Sequence, residues 1–140
     1  MGSPLENLCG QGKPLAAEKP NQTEFDGLKR SGMLRLKDAE NLKNSLESRF
    51  DLAYNAAHAL SLAALRWLGF RPSNRYIVFQ VLPHTLALGP EVWRMLSKCH
   101  EITNRGEYEG DLEVDERLVE GLIAACQIVA TTVGALQSQR

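Results

Sequence analysis

Residues 45–70 read SLESRFDLAYNAAHALSLAALRWLGF, and the folding of this stretch decides the rest of the chain. Phe50, Tyr54, Ala57, Ser61, Ala64, Leu65 and Leu68 recur at steps of three and four residues, the spacing that lines up one face of a helix. Leu52, Ala56, Ala59, Leu60 and Ala63 carry apolar surface around much of the remaining circumference. A helix apolar on most sides is a central one, packed from several flanks. Ser45 suits its N-cap, and Gly69 with Pro72 suits its end.

The flanking segments read as helices that pack around this centre. Upstream, Thr23 with Asp26 resembles a capping box and opens a helix to about Lys43, with Phe25, Leu28, Gly32, Leu36 and Ala39 as its inner stripe. Gly32 costs about 1 kcal/mol of helix stability against Ala, so it calls for a close helix crossing or a functional kink. Downstream, Ser73 caps NRYIVFQVLPHTL, with a break expected at Pro83. Pro90 starts a helix whose buried side is Val92, Met95, Leu96, Cys99 and Ile102. Gly106 and Gly110 frame a loop, and Asp115 caps a last helix through Leu118, Leu122, Cys126, Val129, Val133 and Leu136.

Before residue 23, Ser3-Pro4 signals a short helical turn and the breaker-rich run from Gly10 to Pro20 an ordered but irregular arm. No strand pattern competes, since YIVFQVL sits behind a helix cap. The expected fold is all-α, an up-and-down bundle of four to five helices with an irregular N-terminal arm. The arm and linker take residues 1–22 and the bundle domain residues 23–140.

At 140 residues the chain is long enough for one core without disulfides or a structural metal. A net charge of -1 gives no global attraction to nucleic acid or to an anionic membrane. The three cysteines, Cys9, Cys99 and Cys126, lack C-x-x-C spacing, which fits reduced thiols in the cytoplasm. The start lacks a secretory signal, and the apolar stretch interrupted by Asn55, His58 and Arg66 does not read as a membrane span, so no membrane association is expected.

Phosphate-loop, H-E-x-x-H and G-x-S-x-G motifs are absent. Cys99 and His100 are adjacent, which on a helix points them about 100° apart, a poor arrangement for a shared metal. No metal, cofactor or catalytic residue is assigned. Two polar constellations remain. Arg49, Asp51, Asn55 and His58 lie along the central helix, and residues 100–110, HEITNRGEYEG, gather an imidazole, an amide, a guanidinium, a phenol and carboxylates. Each has a structural reading as well, the first as a hydrogen-bonded seam between helices and the second as a helix end stabilised by Arg105.

RFDLAYNAAHALSLAALRWLGFRP and ITNRGEYEGDLEVDE together resemble the HEPN family of small helical nucleotide-binding domains, over roughly residues 23–136. The second block is similar to the family's Arg-Asn-x-x-(Asp/Glu)-Tyr signature at Asn104, Glu107 and Tyr108. The resemblance implies a bundle that often dimerises beside a minimal nucleotidyltransferase partner. Some members are metal-independent ribonucleases with an Arg and a following His separated by four to six residues. Here those positions fall on Thr103 and Tyr108, so the nuclease pair is not matched in register.

The resulting expectation is a non-catalytic nucleotide- or RNA-binding protein acting with a nucleotidyltransferase-type partner, as in a toxin–antitoxin pair. A divergent ribonuclease and a purely structural interaction bundle are the alternatives. The ligand site is expected where the central helix meets residues 103–108, formed by Arg49, Asp51, Tyr54, His58, Asn104, Arg105, Glu107 and Tyr108. Arg49 and Arg105 would hold a phosphate, Tyr108 a base, and Asn104 would supply a directional hydrogen bond. A homodimer is expected from the resemblance and from Trp67, Phe70, Tyr76 and Trp93, which carry more aromatic surface than a short connecting helix hides.

Overall fold

The computed structural model describes residues 3–109 and 114–136, without the side chains of 106–109. Ser45 caps the central helix as expected, its hydroxyl accepting the Ser48 N–H at 3.1 Å, and α3 (Leu46–Trp67) runs 22 residues from there. It stops where Gly69 takes φ +91°, a conformation that favours glycine. Its Phe50, Ala53, Ala56, Ala57, Leu60, Ala63, Ala64 and Leu65 are all buried. Three other long helices form the rest of an all-α bundle: α2 (Gln22–Ala39), α6 (Pro90–Glu109) and α7 (Glu116–Leu136).

The tightest approach is between α2 and α3. A Cβ added at Gly32 would lie 2.6 Å from Leu60 Cγ and 3.3 Å from the Ala56 carbonyl oxygen. The close crossing, rather than a kink, accounts for the glycine. α7 lies against α2, α3 and α6. Against the expectation that no segment reads as a membrane span, α7 is long and apolar enough to cross one, with a mean hydropathy of 1.6 over an 18-residue window. In the bundle its Val119, Leu122, Ile123, Cys126, Val129 and Val133 are core residues.

The smaller elements depart from the sequence reading in informative ways. After α1 (Pro4–Asn7), the arm forms β1 (Leu15–Ala17), antiparallel to β2 (Phe70–Pro72) with Ala16 opposite Arg71. A strand was not expected in either place. Three-residue strands carry no readable alternation, and this pair is fixed by side chains outside it. Asn21, not Thr23, caps α2, accepting the Glu24 N–H at 2.9 Å. Asn74, not Ser73, accepts the Ile77 N–H at 2.9 Å. YIVFQVLPHT gives two single-turn helices, α4 (Ile77–Gln80) and α5 (Leu82–Thr85). Pro83 sits in the first turn of α5, where a missing N–H costs nothing, so the break precedes it. Gly106 does not end α6, which continues to Glu109, and of the DLEV loop residues 111–113 lie outside the described residues.

One cation ties these pieces together. Arg66, 1% exposed near the end of α3, donates from Nε to Glu24 Oε1 at 2.7 Å. Its Nη1 donates to the carbonyls of Glu18 (2.9 Å) and Phe70 (3.2 Å), and its Nη2 to that of Lys19 (2.7 Å). Nη2 also lies 3.3 Å from the Glu18 carboxylate, and Arg71 binds both carboxylates, at 2.6 Å from Glu18 and 2.8 Å from Glu24.

Trp67 does not supply exposed surface for a dimer. It is buried within its own chain, tilted against Phe25 with ring centroids 4.7 Å apart.

Gly32→Ala tests the crossing. Helix propensity alone would stabilise it by about 1 kcal/mol. The overlap with Leu60 reverses the sign, and a loss of about 1–3 kcal/mol is expected in urea unfolding. A gain would show that α2 and α3 are further apart than described.

Candidate functional site

The polar edge of α3 faces a short turn and one flank of α6. Tyr54, 3% exposed, brings its hydroxyl to 2.8 Å from His100 Nδ1, across 46 residues of sequence. The other imidazole nitrogen, Nε2, lies 3.1 Å from Asn104 Nδ2, one helical turn along α6. With the Asn104 amide donating, Nε2 carries the lone pair and Nδ1–H donates to the Tyr54 oxygen.

The turn after β2 completes the seam. The Asn74 side chain accepts the first N–H of α4 and leaves Arg75 outside the helix, exposed, with its guanidinium 5.5 Å from the Tyr54 ring centroid. Arg75 Nη2 also donates to Asn55 Oδ1 at 3.1 Å. Tyr76 then stacks on His100, with centroids 5.1 Å apart and planes 21° apart. Phe79, fully buried, forms the floor, edge-on to Tyr54 at 5.9 Å and to His58 at 6.1 Å.

His58 is held neutral. Burial pushes its pKa down to about 4, and electrostatic repulsion of the protonated ring by Arg75, with a smaller part from His100, adds to the effect. Next to it is a shallow depression of about 270 Å³ lined by His58, Leu62, Arg71, Pro72, Ser73, Asn74 and Arg75. That is room for a phosphate or part of a nucleotide rather than for an engulfed cofactor.

The expected site residues separate into those that meet here and those that do not. Tyr54, His58 and Asn104 converge with His100. Asp51 joins at the margin, its carboxylate and carbonyl accepting from Asn55 Nδ2 at 3.2 and 2.9 Å. Arg49 does not belong to the seam. It is buried and donates from Nε to the Ala39 carbonyl at 2.8 Å, closing the end of α2 instead of gripping a phosphate. Arg105 is exposed on α6, and the side chains of Glu107 and Tyr108 lie outside the described residues.

Arg75 was missed by the sequence reading. Its signal is a cation directly after the Pro72-Ser73-Asn74 helix-start residues and directly before the apolar run from Tyr76. Among the described residues, no group of His, Cys, Asp and Glu is arranged to hold a metal ion. Cys99 and Cys126 are buried thiols, pushed up to about 12 chiefly by burial, and are not nucleophiles. Against protein-family models, curated proteins and solved structures, the chain finds no match. The likeness to HEPN domains therefore rests on the residues quoted for it.

The His58 environment sets a pH dependence. An unfolded imidazole near 6.5 binds protons that the folded one refuses until about 4. Stability is therefore full above about pH 6.5 and falls as pH drops towards 4. His58→Gln should flatten that limb in denaturant midpoints taken across this range. An unchanged limb would show that the ring is solvated.

Proposed function

We propose that this chain is a non-catalytic binding protein of HEPN type that holds a nucleotide or short RNA at the seam between α3, α4 and α6. The observation that carries the reading is Arg75, an exposed guanidinium lying over Tyr54 beside the Tyr76–His100 stack and at the lip of a small depression. A planar cation suits phosphate oxygens, and aromatic faces suit a base. Asn104 and Asn55 supply directional amides at the two margins.

Binding without turnover fits the imidazoles. Both His100 nitrogens have partners, and His58, pushed down to about 4, is neither a good proton donor nor a strong base at neutral pH. The ribonuclease alternative draws on the same seam, because it sets Arg75 close to two imidazoles, although neither His58 nor His100 stands at the motif's spacing from it. The test must therefore read cleavage as well as binding.

The partner belongs to the same proposal: a nucleotidyltransferase-type protein, in an arrangement of the toxin–antitoxin kind, in the cytoplasm, where buried free thiols such as Cys99 and Cys126 stay reduced. A homodimer is part of it too. The support for self-association is the outer face of α7, where Ala124, Ile128 and Thr131 are exposed and Ile128 retains 44% of its surface. Thr131 and Thr132 turn their hydroxyls back onto their own helix, at 3.0 and 2.8 Å from the carbonyls of Gln127 and Ile128, so neither hydroxyl needs a partner outside it. Light scattering that gives a monomer mass at tens of micromolar would remove the dimer.

Calorimetry with nucleotides and a short single-stranded RNA, on wild type and Arg75→Gln, tests the site. Wild type should bind, and Arg75→Gln should weaken binding by about 10-fold or more, the worth of a charge-assisted hydrogen bond. The RNA should remain intact. If wild type binds neither ligand, the site reading fails and a purely structural bundle is the better account. If RNA is cut and His100→Ala stops the cutting, the protein is an enzyme.

A further inference from the structure

Arg71 belongs to two environments. It lines the depression together with His58 and Arg75, yet its guanidinium is spent on acids outside that depression. Nε and Nη2 donate to Glu18 Oε2 at 2.8 and 2.6 Å, and Nη2 reaches Glu24 at 2.8 Å. Glu24 also accepts a 2.7 Å hydrogen bond from Nε of the buried Arg66, so it does not depend on Arg71. Glu18 differs. Its carboxylate is 48% exposed and lies 3.3 Å from Arg66, and its shortest contact is with Arg71, itself 39% exposed.

The arm holds Glu18 at that place through its backbone. The Glu18 N–H donates to the Gly69 carbonyl at 2.9 Å, and the Glu18 carbonyl accepts from Arg66. The Ser73 N–H donates to Pro14 at 2.9 Å, so the segment leading to Arg75 is fastened to the arm as well. The carboxylate is therefore a tethered anion beside an anion-binding lip, where a short tether gives a high effective concentration. The contact itself is an exposed ion pair, which is worth little and exchanges easily.

We infer that Glu18 is an internal counter-anion of the site: a phosphate-bearing ligand entering the depression takes the Arg71 guanidinium from Glu18 and binds it together with Arg75. The inference rests on the ligand site proposed above and adds its regulation. The arm lowers affinity for every ligand that needs Arg71. A phosphate monoester, a dianion, displaces the carboxylate more readily than a singly charged group does. A nucleoside without phosphate neither needs Arg71 nor responds to Glu18.

Calorimetry with AMP and adenosine on wild type, Glu18→Gln and Arg71→Gln separates the two levels. Glu18→Gln should tighten AMP by about 2- to 5-fold, the worth of an exposed ion pair. Arg71→Gln should weaken AMP and abolish the response to Glu18→Gln, and adenosine should be indifferent to both changes. A second readout uses the unaltered protein. The Glu18 carboxyl, held below its ordinary 4.5 chiefly by the hydrogen bond from Arg71, should return towards 4.5 in carboxyl NMR titrations at saturating AMP. If AMP binds wild type and Glu18→Gln equally and the Glu18 titration does not move, the counter-anion idea is overturned and the site stands. If AMP binds none of the proteins, the counter-anion idea falls, and the site falls with it when the short RNA does not bind either. If Glu18→Gln loosens the arm, the wild-type carboxyl titration alone decides.

Discussion

A buried guanidinium near the end of α3 holds this structure in register. Arg66 is almost without solvent, and an unpaired charge there would cost several kcal/mol. It is retained because it finds a carboxylate and three backbone carbonyls, from Glu18, Lys19 and Phe70. Bonds to carbonyls fix the path of the main chain itself. They set the arm against β2 and α2 against α3, and through β2 they set where the 73–76 turn begins. The placement of Arg75 over Tyr54 is thus a consequence of an ion cluster at the opposite end of β2. Glu18 and Glu24 are both held below the usual carboxylate range by Arg71 and Arg66. Their contribution is complete above about pH 4.5 and is lost as acid protonates them.

The bundle was legible because its signals are local and repeated. Ser45, the apolar period of α3 and Gly69 fix the central helix without reference to any partner. Gly32 announced a close crossing because its helix penalty needed a compensation. The β1–β2 pair was illegible for the converse reason. LAA and FRP have no alternation, and their pairing depends on Arg66 and Glu18, 48 residues apart in sequence. α6 ran past Gly106 because a single glycine lowers helix stability without ending a helix.

The site was half legible. Periodicity placed Tyr54 on the apolar face of α3 and gathered Asp51, Asn55 and His58 as its polar set, but it could not say which residue of another helix meets them, so the Tyr54–His100 pairing appears only in three dimensions. Arg49 and Trp67 show the opposite error. A charged or large side chain in an apolar helix was assigned to a ligand or a partner, whereas the fold consumes both, one on an open helix end and one against Phe25. Arg75 escaped notice because a cation in a turn is ordinarily a solvated one. Its meaning comes from Tyr54 and Asn55, which β2 brings under it.

The most direct test of this account is Arg66→Met, followed by urea unfolding and by amide exchange at Glu18 and Ser73. Removing one member of a buried ion cluster should cost about 3 kcal/mol. The Glu18 and Ser73 amides, bonded to Gly69 and Pro14, should lose protection with it. Stability within about 1 kcal/mol of wild type, with both amides still protected, would contradict the claim that Arg66 sets the register on which the site depends.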